Sequence, residues 1–146
     1  MAKRPTETQR KEVFARAEGF CEYCLSPEKY SNSTFELEHI LPVSQNGKTV
    51  LSNLALSCPG CNKNKSHRVK ATDPETNEVI SLYNPRKDVW EKHFRWSDDF
   101  TQLIELSAIG RATIKVLKLN RKNLLNLRRL LYLFGEHPPK YKYLKS

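Results

Sequence analysis

The run from Phe35 to Lys65, FELEHILPVSQNGKTVLSNLALSCPGCNKNK, decides how the rest of the chain is read. Its opening, Phe35-Glu36-Leu37-Glu38-His39-Ile40, alternates with period 2, the pattern of a half-buried strand, and Pro42 ends it. Ser44-Gln45-Asn46-Gly47 reads as a turn, because Asn-Gly supplies the positive φ that tight hairpins need. The spacing then predicts a short second strand near Lys48–Leu51, an N-cap at Ser52 and a helical turn starting at Asn53-Leu54-Ala55-Leu56. Cys58-Pro59-Gly60-Cys61 closes the run and leads into Asn62-Lys63-Asn64-Lys65. Such a path brings a carboxylate, an imidazole and two asparagines within reach of one another.

All four cysteines fall in two pairs of identical spacing, Cys21-x2-Cys24 and Cys58-x2-Cys61. Two intervening residues let both sulfurs of a pair converge on one tetrahedral ion while turn amides face the thiolates. A redox dithiol needs only one such pair, and a disulfide framework is unexpected in a cytosolic chain. The expectation is one structural Zn2+ with four ligands, closed to substrate.

These elements, taken in order, resemble an HNH endonuclease. Its pattern is C-x2-C, an acidic residue and His followed by Ile and Pro, then Asn-Leu, then C-x2-C-[NH]. Here it is carried by Cys21, Cys24, Glu38-His39-Ile40, Pro42, Asn53-Leu54 and Cys58-x2-Cys61-Asn62. The match covers roughly residues 10 to 70, and a looser likeness to a bacterial HNH subgroup runs from Gly110 to Pro139. The resemblance implies an α+β fold: a ββα-metal core at 6–70 with zinc knuckles, then an extension at 71–146, basic and mainly helical from 110. It implies a metal-dependent endonuclease acting on DNA. In that reading Glu38 and Asn62 ligate a catalytic Mg2+ or Mn2+, and Asn53 orients the loop or holds the His39 ring. A turn or N-cap asparagine is the plainer reading of Asn53. Two departures stand out: Glu38 where aspartate is common, and Ser66 where relatives often carry glycine.

A lone strand histidine is more often an ordinary one, and it is the motif around His39 that makes it the candidate general base. Phosphodiester hydrolysis needs an activated water and stabilisation of charge on the phosphoryl oxygens. Imidazole titrates near working pH and can take the proton. The alternative function is a zinc-stabilised nucleic-acid-binding module without hydrolysis, which explains the cysteines but not Glu38, His39, Asn53 and Asn62 together.

The net charge of +9 is unevenly placed. Met1 to Ile109 holds 15 Lys/Arg and 15 Asp/Glu, whereas Gly110 to Ser146 holds 10 Lys/Arg and one acid, Glu136. A basic segment beside a nuclease-like core suggests contact with the phosphate backbone of DNA, through Arg121, Lys122, Arg128 and Arg129. A solvated helix face is the alternative. Lys65 and Arg68 are open to the same two readings.

The remaining chain is read more briefly. Residues 6–18 predict a helix capped by Thr6 or Thr8, with Gly19 at its end. Ala71–Asn77 reads as a linker, Glu78–Leu82 as a strand, and Thr113–Leu119 and 121–134 as helices. In the last, Leu124, Leu127, Leu130, Leu131 and Phe134 share one face and Arg128 lies on the other. Lys140–Lys145 reads as a basic tail. No apolar run is long enough to span a bilayer, and the first residues lack the apolar core of a signal peptide. The expectation is a soluble cytoplasmic protein with no membrane partner.

Overall fold

The computed structural model describes residues 4–140, which pack as two compact units. One runs to Val69 and includes Asn84–Arg86; the other takes Lys70–Tyr83 and the chain from Lys87.

The first unit begins with helix α1, Glu7–Ala17. Thr6 caps it and Gln9 returns the bond to the Thr6 N–H, a reciprocal box that satisfies two otherwise orphaned donors. Glu18 and Gly19 both take positive φ and end it. Val13 and Ala17 are buried. The chain then turns through the first cysteine pair, where Glu22 lies against strand β2: its N–H donates to the Leu56 carbonyl and its carboxylate accepts from the Leu56 N–H. Arg86 pairs with the other oxygen of that carboxylate.

Strands β1, Glu36–His39, and β2, Leu54–Ser57, are antiparallel, with Glu36 opposite Ser57 and His39 opposite Leu54. Helix α2, Pro59–Lys65, follows at once, with Cys58 as N-cap and Pro59 at its first position. This is the ββα unit. The second strand lies later than the sequence suggested. Leu51–Asn53 is a single 3-10 turn, and Leu54-Ala55-Leu56, expected to continue a helical turn from Asn53, belongs to the fully buried strand Leu54–Ser57. A short apolar run does not reveal by periodicity whether it is strand or helix.

The connecting loop is held by Asn53 rather than by a hairpin ladder. The Asn53 side-chain oxygen accepts from the Leu41 N–H at 2.8 Å, and its amide donates to the carbonyls of Leu41 and Lys48. Gly47 is required by space: a Cβ there would lie 1.7 Å from the Leu41 carbonyl oxygen. Asn46 takes the left-handed conformation, φ 69°.

Among the described residues, the second unit contains two hairpins and three helices. β3, Lys70–Thr72, pairs with β4, Val79–Ser81, so part of the expected linker is strand. Asp73 closes that turn and takes Arg111 in a two-pronged ion pair at 2.7 and 2.8 Å, which holds its carboxyl well below the usual range. α3, Trp90–His93, runs into β5, Phe94–Trp96, paired with β6, Leu103–Glu105. α4, Ala108–Leu117, starts five residues before its expected position because Ser107 caps the Gly110 N–H. α5 spans Lys122–Leu133.

On α5 the buried side chains are Leu124, Arg128 and Leu131, while Leu130 and Phe134 are exposed. Arg128 was expected on the open face. It is 2 % exposed, and its guanidinium donates to the carbonyls of Thr101 and Leu119 and to the Asn120 side chain. Residues 141–146, most of the expected basic tail, lie outside the described residues. Among the described residues no helix is long and apolar enough to cross a membrane.

Candidate active site and metal centre

The four thiols are positioned to bind one metal ion. Cys21, Cys24, Cys58 and Cys61 are buried, and their sulfurs all lie within 4.8 Å of one another. The Cys24 and Cys58 sulfurs are 3.7 Å apart. That is too long for a disulfide, whose sulfurs sit about 2.05 Å apart. Four sulfurs at about 2.3 Å from a tetrahedral zinc would stand about 3.8 Å from each other. In each pair the second cysteine's N–H donates to the first sulfur, at 3.5 Å to Cys21 and 3.4 Å to Cys58. Helix α2 thus starts on the ligand cluster.

His39 ends β1, opposite Leu54 and half-buried. Its Nε2 lies 2.8 Å from the Thr49 hydroxyl. Burial holds its pKa below the ordinary imidazole value, so the neutral, proton-accepting form is favoured near pH 7. Alternation puts Glu38 and Glu36 on the other strand face from His39. There Glu38 meets α2: its carboxylate is 2.5 Å from the Lys65 ammonium, and both side chains are buried. Burial raises the Glu38 pKa, and Lys65 opposes that rise. Lys65 also donates to the Ile40 carbonyl at 3.0 Å, tying the end of α2 to the residue after His39.

Asn62 lies on the same side of the ββα unit, and its amide donates to Glu36 at 3.0 Å. Two carboxylates and an amide therefore line the β1–α2 face, with an ammonium already against one of them. The Glu38 carboxylate already pairs with a cation, and the carboxylate and amide oxygens of Glu38, Glu36 and Asn62 are hard donors whose chemistry suits Mg2+ or Mn2+.

Two expected phosphate contacts are corrected. Lys65 is 1 % exposed and serves as an internal cation, and Arg128 is committed to backbone carbonyls in the second unit. Arg68, Lys122 and Arg129 are exposed, and Arg121 is partly buried with its guanidinium on the Leu117 and Lys118 carbonyls. Sequence reasoning passed over Thr49, Glu36 and Gln9. Glu36 could have been found from its i, i+2 relation to Glu38, whereas nothing local marks Thr49.

The model of the HNH endonuclease family matches residues 21–68, from the first cysteine past the end of α2. Residues 21–68 form an HNH domain. The chain is also 30% identical over 142 residues to the Septu protein PtuB of Bacillus mycoides (strain KBAB4), an alignment over 78% of this chain and 46% of that relative. The chain thus spans about half the length of the curated relative it matches. No solved structure shows a significant match. An HNH domain indicates a nuclease-type or nucleic-acid-related function, in keeping with the ββα unit and its cysteine cluster.

Proposed function

We propose that the protein is a metal-dependent endonuclease that hydrolyses phosphodiester bonds of DNA, with His39 as the general base. The observation that carries this reading is His39 itself: a half-exposed imidazole, favoured in its neutral form, whose Nε2 has a fixed partner. It takes a proton from water as the oxygen attacks phosphorus, and the 3′ oxygen leaves, giving 5′-phosphate and 3′-hydroxyl ends. Asn53 acts indirectly, by fixing the loop that follows His39 through its bonds to Leu41 and Lys48.

Glu38 and Asn62 would hold the catalytic Mg2+ or Mn2+, with Lys65 giving up its place at the carboxylate. When bound, such an ion stabilises charge on the phosphoryl oxygens. The cysteine cluster holds a structural Zn2+, since four thiolates close its coordination. Arg68, Lys122 and Arg129 are exposed cations that suit contact with the phosphate backbone.

Incubation of the purified protein with supercoiled plasmid and Mg2+, Mn2+ or EDTA tests the reading. Cleavage with either ion but not with EDTA, leaving 5′-phosphate ends, is expected. Folded protein that binds the plasmid and never cuts it would instead make this a nucleic-acid-binding module. The Lys65–Glu38 pair favours that outcome if it cannot be displaced.

A further inference from the structure

We propose that Thr49 is a positioning residue for His39, and that Gln9 in the first turn of α1 holds Thr49 in place. The inference rests on His39 being the base. An imidazole that accepts a proton from water must turn a bare ring nitrogen to that water, so its other nitrogen carries hydrogen and needs an acceptor. The Thr49 hydroxyl stands 2.8 Å from Nε2, where that acceptor belongs. Thr49 therefore accepts from Nε2–H, and Nδ1 is left bare to receive the proton. Were the hydroxyl to donate instead, Nδ1 would carry hydrogen and neither nitrogen could act as base.

Thr49 sits in an irregular loop between the two strands. One anchor of that loop is α1. The Gln9 amide donates to the Thr49 carbonyl at 3.1 Å while its oxygen accepts from the Thr6 N–H at 2.9 Å. One side chain thus closes the helix N-terminus and seats the residue behind the imidazole. Arg16, two turns on, bonds the carbonyls of Leu51 and Leu54 and grips the far end of the same loop. α1 is in this way a rigid rail along which the chain from Thr49 to Leu54 is fixed, and orientation within a fraction of an ångström is what a positioned base requires.

Two measurements on the full chain test this. Nitrogen-15 NMR of His39 should show the Nε2–H tautomer in the wild type, a mixed or reversed population in Thr49→Val, and recovery in Thr49→Ser. In plasmid cleavage, Thr49→Val should lower kcat about 10- to 100-fold with little change in KM, the range typical of orienting partners, and Thr49→Ser should restore most of it. Gln9→Glu keeps an oxygen for Thr6 and removes the N–H given to Thr49, so it should move both readouts the same way by less. Zinc content and melting temperature confirm that each variant is folded. A wild-type tautomer and wild-type kcat in Thr49→Val would overturn the proposal, as would a Thr49→Ser variant no better than Val. If the wild type never cleaves, the nuclease reading falls and the NMR result alone decides the role of Thr49.

Discussion

The Lys65 ammonium lies 2.5 Å from the Glu38 carboxylate, with both side chains at most 5 % exposed. A charge removed from water at such cost is stable only while its partner remains. Lys65→Met keeps the stem and deletes the charge, so Glu38 is left buried and alone. The variant should lose about 3–5 kcal/mol in urea denaturation, the usual result of removing one partner of a buried pair. Adding Glu38→Gln should recover much of that loss. A Lys65→Met protein as stable as the wild type would show that the pair is not formed.

The same pair bears on metal binding. If Glu38 and Asn62 are the protein ligands, Glu38→Ala should weaken Mg2+ binding by calorimetry, and raised Mg2+ should partly restore its cleavage rate. Glu36, hydrogen-bonded to Asn62 but exposed, supplies the comparison. Should Glu36→Ala lose Mg2+ affinity while Glu38→Ala keeps it, the ion sits on the outer carboxylate and Lys65 never moves.

Exposed and buried arginines should behave differently toward DNA. Replacing Lys122 and Arg129 with alanine should flatten the dependence of log affinity on log salt by up to about one unit per lost phosphate contact. Arg128→Ala should instead lower stability, because three acceptors lose their donor. An unchanged salt slope in the double variant would place those cations among solvated side chains.

These contrasts show what local sequence could carry. The cysteine cluster was legible because two pairs of identical spacing announce it, whereas Glu38-His39, Asn53 and Asn62 stood out only through the order of motifs that resembles the HNH family. Arg128 was not. A helical wheel sees only its own helix, and what draws this guanidinium inward is the Thr101 carbonyl, 27 residues away. Lys65 escaped for the same reason, since its partners are Glu38 on β1 and Ile40 just beyond it. The second strand was misplaced because Ser52 and Asn53 look like helix-start residues, while Asn53 spends its side chain on Leu41 and Lys48. Ser66 is intelligible only afterwards: its φ of 52° with ψ −130° is a backbone that favours glycine, and here a serine bears it.

Acid should act on the second unit through His137. Burial pushes its pKa down to about 4, although Nε2–H donates to the Phe100 carbonyl at 2.8 Å. The unfolded chain takes up that proton near about pH 6.5. Stability from this group is therefore whole above about pH 6.5 and drains away as pH falls toward 4. Melting temperatures taken across that range should fall less steeply in His137→Gln than in the wild type. Parallel curves would assign the acid sensitivity to other groups.

Cleavage by His39→Ala, compared with wild type at equal zinc content and equal melting temperature, bears most directly on the proposed chemistry. The account predicts that the variant binds DNA and Mg2+ as before and cuts about 10²- to 10⁴-fold more slowly, the usual contribution of a positioned base. The wild-type rate should fall on the acid side with a midpoint below the ordinary imidazole value of about 6.5, because burial disfavours the protonated ring. A folded His39→Ala protein that cuts at the wild-type rate, with the same pH profile, would contradict the account.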